Sequence, residues 1–183
     1  MAAVSSDGFL ISSLSKHSVL VVGDGNFSFS LSLAVFSFQH GLNTPLVLTS
    51  FDSCEKLRQD NIASSNLNEL KRFKNVDVFH QVDATKLCQY FPNQKFGRII
   101  FNFPHTGGKS NIKKCRKLLE DFFSSAVKCL DPCDGDISVT LCKGQGGTPM
   151  DQPCRSHGNS WQIVCNAAKS GEINTYFTTF YMQ

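Results

Sequence analysis

Short apolar runs rich in β-branched residues recur along the chain, each closed by a glycine, an aspartate or a polar stretch. The first, residues 18–22 (S-V-L-V-V), stops at Gly23 and has the form of a strand buried on both faces of a parallel sheet. Residues 45–51, 76–82, 98–103 and 137–142 repeat that form, and residues 173–182 supply a last strand candidate. Residues 27–38 fit two periods. Phe27, Phe29, Leu31, Leu33 and Val35 alternate as in a strand, while Phe27, Leu31, Ala34, Val35 and Phe38 share a helical face. No turn residue interrupts them before Gly41, which favours one long helix. A polar helix capped by Ser53 is predicted to run to about Phe73, with a shorter one around residues 85–90. Ile112, Cys115, Leu119, Phe122, Ala126 and Leu130 recur at three- and four-residue steps and mark the clearest helix. A glycine-rich loop (Gly144, Gly146, Gly147) then leads to a helix opening near Ser160 and Trp161. Strand and helix alternate at the spacing of an α/β fold, a mostly parallel sheet with helices on both faces.

Composition narrows the setting. The 183 residues suit one domain, expected over 17–183 behind a Ser-rich, flexible tail at 1–16. Apolar residues make up 41%, including sixteen Phe, which points to an aromatic core and away from disorder. A net charge of +3 permits an RNA partner without requiring one. The eight cysteines include no C-x-x-C pair and most sit in apolar runs, as small core residues do. No signal segment and no apolar run of about 18 residues is present, so reduced thiols in an intracellular monomer away from membranes are expected. Cys154 and His157 make half of a zinc spacing; with no second pair, no metal is expected.

Candidate chemistry gathers where strands end. Gly23-Asp24-Gly25-Asn26-Phe27-Ser28 follows the first strand and opens the first helix, the context of a nucleotide-binding turn, with Ser28 in place of a third glycine. Glycines that merely tighten the turn are the alternative. Asp24 would repel the pyrophosphate of a dinucleotide at a helix N-terminus, which argues against a nicotinamide cofactor. S-adenosylmethionine carries a sulfonium and an ammonium and no phosphate, so an aspartate suits it. Asp52 and Asp83 end the second and third strands, where each can accept from ribose or adenine or else cap a helix. Asn102-Phe103-Pro104-His105 follows the fourth strand and partly matches the Asn/Asp-Pro-Pro-aromatic motif of amino-group methyltransferases. His105 can take an imide proton from a pyrimidine, hydrogen-bond its carbonyl, or only shape a turn, and Phe103 can stack or pack. Lys109, Lys113, Lys114, Arg116 and Lys117 border this mouth as an RNA-binding cluster or as a solvated helix face. Lys143 and the glycines after it form a loop that either closes over substrate or simply connects.

With these residues in place, the chain resembles the 25S ribosomal RNA uridine-N3 methyltransferase family. The resemblance rests on Val22-Gly23-Asp24-Gly25-Asn26-Phe27-Ser28-Phe29-Ser30, Thr49-Ser50-Phe51-Asp52-Ser53, Val82-Asp83-Ala84-Thr85-Lys86-Leu87 and Ile99-Ile100-Phe101-Asn102-Phe103-Pro104-His105. The loop from Leu141 to Pro149, with Asn159-Ser160-Trp161-Gln162, is similar to the N-terminal part of animal proteins that end in a ferredoxin-fold anticodon-binding module. The resemblance implies a Rossmann-like S-adenosylmethionine methyltransferase fold and methylation of uridine N3 in rRNA, or else an inactive module that binds RNA or protein. It implies that Gly23, Asp24, Gly25 and Phe27 hold the methionine end of the cofactor, Asp52 the ribose, and Asp83 and Ala84 the adenine, with Asn26 and Ser53 also in the cofactor-binding set. Asn102, Pro104 and His105 would meet the base. After Ala168 the sequence departs from the family, and residues 171–183 can supply one strand where the fold normally closes with a pair, so incomplete C-terminal strands are expected.

Overall fold

The computed structural model describes Ile11 and residues 14–108, 111–148, 151, 155–171 and 175–177. Strands β1 (Val19–Val22), β2 (Leu46–Thr49), β3 (Val76–Phe79), β4 (Arg98–Asn102), β5 (Asp136–Thr140) and β6 (Thr175–Phe177) form one sheet in the order β3-β2-β1-β4-β5-β6. Every pairing is parallel, so the mostly parallel sheet of the sequence reading is parallel throughout the described strands. The C-terminal strand candidate is seen as β6 beside β5, and residues 178–183 lie outside the described residues.

Several strands stop sooner than predicted: β2 at Thr49, β3 at Phe79 and β4 at Asn102. Backbone geometry explains two of these endings. Gln81 and Phe103 have φ of 57° and 49°, left-handed values that end an extended ladder.

The ambiguous stretch after the first turn is helical, α1 (Ser28–Gln39). The single polar helix expected after Ser53 is two, α2 (Cys54–Arg58) and α3 (Asn61–Leu70). The break falls at Asp60, whose backbone is extended and whose carboxylate accepts the Ala63 amide at 2.8 Å, a cap that starts a new helix. A 3₁₀ turn (Ala84–Lys86) precedes α4 (Leu87–Tyr90). The amphipathic α5 (Ile112–Cys129) is the longest helix described, and α6 (Ile163–Ala168) follows a 3₁₀ turn at His157–Asn159. None of these is long and apolar enough to cross a membrane.

Side chains of β1 alternate between two cores, as strand geometry demands. Val19 and Val21 join Phe27, Leu33, Leu57, Ala63 and Leu70 under α1, α2 and α3. Leu20 and Val22 join Leu87, Leu119, Phe122, Trp161 and Ile163 under α4, α5 and α6. Both faces are therefore dry, which is why β1 reads as an unbroken apolar run.

The opposite, amino-terminal edge of the sheet is fixed by charge. Arg98 donates from Nη2 to Asp136 Oδ2 at 2.9 Å in a buried pair, with Lys16 at 3.5 Å from the same carboxylate. Leu14 is buried, and its carbonyl accepts the Thr44 hydroxyl at 2.6 Å. Of the stretch expected to be a tail, residues 1–10, 12 and 13 lie outside the described residues. Among the described cysteines, all free thiols, only Cys115 and Cys129 are fully buried, whereas Cys133, Cys142 and Cys165 face solvent. Cys154, half of the zinc spacing, lies outside them.

Candidate functional site

The strand order reverses at β1, with β2 on one side and β4 on the other. In open α/β sheets the crevice beyond the carboxyl ends of such strands is where ligands sit. The turn after β1 is stapled to the tip of β2. Thr49 Oγ1 accepts the Gly23 amide at 3.2 Å and donates to the Val21 carbonyl at 3.0 Å, and the Asp24 amide donates to the Thr49 carbonyl at 2.9 Å. Gly23 has φ of 64°, and a Cβ there would stand 3.1 Å from the Phe101 ring, so the position needs glycine. Gly25 differs. A Cβ there would meet nothing within 4 Å, so no neighbour in the protein demands its small size.

The start of α1 uses an unusual cap. Phe27 occupies the cap position at φ 60°, fully buried, and supplies no capping side chain. Asp24 supplies it instead, its Oδ2 accepting the Ser30 amide at 2.8 Å. Asn26 Oδ1 accepts the Ser28 amide at 3.1 Å, and its carbonyl accepts Asn66 Nδ2 at 2.9 Å. The turn is thus braced from α3 as well as from β2.

At the tip of β2 the roles of two neighbours separate. Ser53 caps α2, accepting the Lys56 amide at 3.3 Å. Asp52 is not a cap; its Oδ1 accepts from Lys56 Nζ at 2.6 Å. Asp83 does cap, taking the Thr85 amide at 2.9 Å and the Thr85 hydroxyl at 2.7 Å on one oxygen. Burial pushes the Asp83 carboxyl upward, but the Thr85 bonds and Lys86 outweigh it and leave its pKa below the ordinary 3.8. Ala84 is buried beside it.

His80 stands in the same neighbourhood and was not singled out by sequence, because it falls inside a predicted strand. Ser50 gives its hydroxyl proton to the Asp52 carbonyl at 2.9 Å and meets His80 Nδ1 at 2.9 Å, which assigns the ring proton to Nδ1. The ring also stands edge-on to Phe27, with centroids 5.8 Å apart. Burial lowers its pKa below 6.5, against an upward pull from Glu55, while Arg58 adds to the lowering.

Beyond β4 the expected substrate residues share one tip. Asn102 Oδ1 accepts the Thr140 hydroxyl at 2.7 Å. Phe103 has φ of 49° and is 41% exposed, an uncommon posture for a large aromatic. Pro104 is buried. His105 is exposed, and its Nδ1 accepts the Gly107 amide at 2.9 Å. That bond puts the proton of the neutral ring on Nε2, which makes it a donor.

The five cations expected near this mouth divide. Lys109 lies outside the described residues. Lys113 and Lys114 are exposed in the first turn of α5, where Asn111 Oδ1 accepts their amides at 2.9 and 3.2 Å. Lys117 pairs with Asp121 at 2.8 Å. Arg116 turns inward and donates to the carbonyls of His157, Gly158 and Ser160.

Lys143 is exposed at the head of the glycine-rich loop, which is pinned to the segment entering α6. The carbonyls of Gln145 and Gly146 accept the amides of Trp161 and Ile163 at 2.6 and 3.0 Å. Gly147, at φ 75°, lies so close that a Cβ would fall 2.2 Å from Ser160 Oγ. Asp151, buried and unremarked in the sequence, accepts the Gly147 and Thr148 amides at 2.6 and 2.8 Å. Between lid and connection, these bonds favour the connection.

Comparison with known proteins places this architecture. Residues 20–180 match the family described as BMT5-like, rRNA (uridine-N3-)-methyltransferase BTM5-like. The mouse ferredoxin-fold anticodon-binding domain-containing protein 1 homolog is 43% identical over 159 residues, covering 85% of this chain and 24% of its own length. The chain therefore spans about a quarter of that relative (24%). The Saccharomyces cerevisiae 25S rRNA (uridine(2634)-N(3))-methyltransferase is 26% identical over 203 residues, covering 85% of this chain and 60% of itself. A Burkholderia multivorans protein assigned as a short-chain alcohol dehydrogenase superposes with a TM-score of 0.52 over 88% of this chain and 80% of that one. At 14% identity that likeness shows the shared fold alone. The family match takes in nearly all of the sheet and both helical layers, and this chain belongs to the BMT5-like rRNA (uridine-N3-)-methyltransferase family.

Proposed function

We propose that this chain is an S-adenosylmethionine-dependent RNA methyltransferase module that acts on N3 of uridine in rRNA. The observation that carries the reading is the meeting of the glycine turn after β1 with the Asn102–His105 tip of β4 at the reversal of strand order. The cofactor fits the residues present. Gly25 leaves open space, and Asp24, Asp52 and Asp83, each following one of three neighbouring strands, supply carboxylate acceptors suited to a ligand bearing hydroxyls and no phosphate. Gly23, Asp24, Gly25, Asn26 and Phe27 would hold the methionine end, Asp52 and Ser53 the ribose, and Asp83 and Ala84 the adenine. When bound, the cofactor supplies a methyl group made electrophilic by its sulfonium.

The chain's own groups prepare the base. Phe103 offers a stacking face; base–aromatic stacking contributes about 1–3 kcal/mol per base. Asn102 Nδ2 and His105 Nε2 donate toward the carbonyls of the base, which lowers the cost of negative charge on its imide nitrogen. Of the roles open to His105, donation to a carbonyl is the one its bond to Gly107 supports. Lys113, Lys114 and Lys143, with Lys109, lead the RNA backbone to this tip. Arg116, held on three backbone carbonyls, and Lys117, paired with Asp121, contribute less than Lys113 and Lys114. An rRNA substrate implies action in the cytoplasm or the nucleolus.

A second reading, a methyltransferase-like fold kept for binding RNA or protein, is favoured by the engagement of Asp52 with Lys56 and of Asp83 with Thr85. Calorimetry with S-adenosylmethionine and with NAD, followed by transfer of a tritiated methyl group to rRNA with Asp52→Ala as control, separates the readings. Binding and transfer are expected, both weakened by Asp52→Ala. Binding without transfer selects the second reading, and binding of NAD alone overturns both.

A further inference from the structure

We propose that Thr140 is a positioning residue that fixes the side-chain amide of Asn102, and through it the choice of a carbonyl-flanked nitrogen over an amino-bearing base. The inference rests on the methyltransferase reading and adds a residue to its site. Thr140 ends β5 and is the register partner of Asn102 at the end of β4, so the two side chains emerge on the same face at the sheet's carboxyl edge. Thr140 is 3% exposed, and its hydroxyl donates to Asn102 Oδ1 at 2.7 Å.

The direction of that bond decides the chemistry. A buried hydroxyl proton needs an acceptor, and among the described residues Asn102 Oδ1 is the one it has. Turning the amide over would set Nδ2 against the hydroxyl and strand the proton. Thr140 therefore holds Oδ1 inward and leaves the two Nδ2 protons for the crevice.

The next residue reinforces this. The Phe103 amide donates to the Thr140 carbonyl at 2.8 Å, so the residue that orients Asn102 also anchors the left-handed turn carrying Phe103 and His105. His105, with Nδ1 occupied by the Gly107 amide, presents Nε2–H. The tip thus offers donors from two side chains and no side-chain acceptor from either. A uracil ring answers with carbonyls on both sides of N3. Cytosine sets an amino group beside N3 and meets donor with donor. An aspartate at 102 would reverse that preference, since a carboxylate accepts only.

The test compares wild type, Thr140→Val, Thr140→Ser and Asn102→Asp on single-stranded oligoribonucleotides with a central uridine or cytidine. Affinity is read by fluorescence anisotropy, methyl transfer by tritium, cofactor affinity by calorimetry and the fold by thermal unfolding. Wild type is expected to favour uridine about tenfold or more, on the scale of one well-placed hydrogen-bonding contact to a base. Thr140→Val should bring the ratio near one with cofactor affinity unchanged and a cooperative unfolding transition kept at slightly lower stability, Thr140→Ser should restore the ratio, and Asn102→Asp should favour cytidine. A Thr140→Val protein that keeps the wild-type ratio overturns the proposal, as does a wild type that methylates RNA without separating the two bases. Absence of both binding and methyl transfer overturns the functional reading and this inference with it, a result distinct from active but indiscriminate enzyme.

Discussion

Arg116 donates from Nη2 to the Ser160 carbonyl at 2.7 Å, and from Nε to the same oxygen at 3.0 Å. Its Nη2 also reaches the carbonyls of Gly158 at 2.9 Å and His157 at 3.1 Å. One guanidinium on α5 thus gathers the carbonyls of the 3₁₀ turn before α6, the segment on which the glycine-rich loop is pinned. Hydrogen bonds from charged groups contribute about 1.5–3 kcal/mol when removal leaves their partners unmet. Arg116→Ala is expected to destabilise the fold by about that amount in urea unfolding. The salt dependence of RNA binding should stay where it was; a fall in slope with stability intact would put Arg116 on RNA after all.

Asp24 serves two ends, and a substitution can part them. Its Oδ2 caps α1 through the Ser30 amide, and under the proposed function its charge would also serve the cofactor. Loss of a capping side chain costs about 0.5–2 kcal/mol, so Asp24→Ala should lower stability on that scale. Asparagine caps nearly as well as aspartate but carries no charge. Asp24→Asn should therefore leave urea unfolding almost unmoved and weaken S-adenosylmethionine binding in calorimetry. Unchanged affinity would mean the carboxylate is there for the helix alone.

Lys113 and Lys114 head α5 with their ammonium groups in solvent, whereas the hydrogen bond that Lys117 donates to Asp121, and the charge of that carboxylate, hold Lys117 protonated, its pKa raised above 10.5. Each phosphate contact to a single strand adds about 0.7 to the slope of log affinity against log salt. Substituting Lys113 and Lys114 together by alanine should reduce that slope by about 1.4, and Lys117→Ala by less. Equal, negligible effects of all three would leave the helix start as a solvated face.

His80 links stability to pH. Burial holds its imidazole pKa below 6.5, so the folded state disfavours the proton that the unfolded chain takes up. The unfolded state then binds more protons between the lowered pKa and 6.5, and stability falls as pH drops through that window. Above it the contribution is complete. His80→Asn, which keeps a polar partner for Ser50, should flatten this part of the pH dependence in urea titrations. A profile identical to wild type would show that other groups carry it.

Much of this architecture is written locally. The strands are apolar because both sheet faces are covered, so burial alone makes 18–22 and 98–103 legible as runs. The seam of α5 follows from its three- and four-residue steps, and Ser53 from its place before a helical stretch. The left-handed turn at Gly23 is likewise a matter of one residue's freedom. Strand ends were less legible. Nothing in the identity of Gln81 or Phe103 announces a positive φ, which the surrounding contacts impose.

Side-chain roles depended on what stands opposite. Lys113 and Arg116 look alike in the run 109–117, yet one meets water and the other meets carbonyls more than forty residues away (|i−j| of 44 for Ser160). Asn102 and Thr140 lie 38 residues apart, and only the parallel register of β4 with β5 brings a hydroxyl to the amide. Periodicity along one segment tells which side of it is dry. It carries no record of the partner across the gap, so the sequence by itself determined the alternation of strands and helices, the buried runs and the turn at the first strand. The order of strands, the cations left to solvent and the donors facing the crevice were decided by tertiary packing, because each is a property of two distant segments at once.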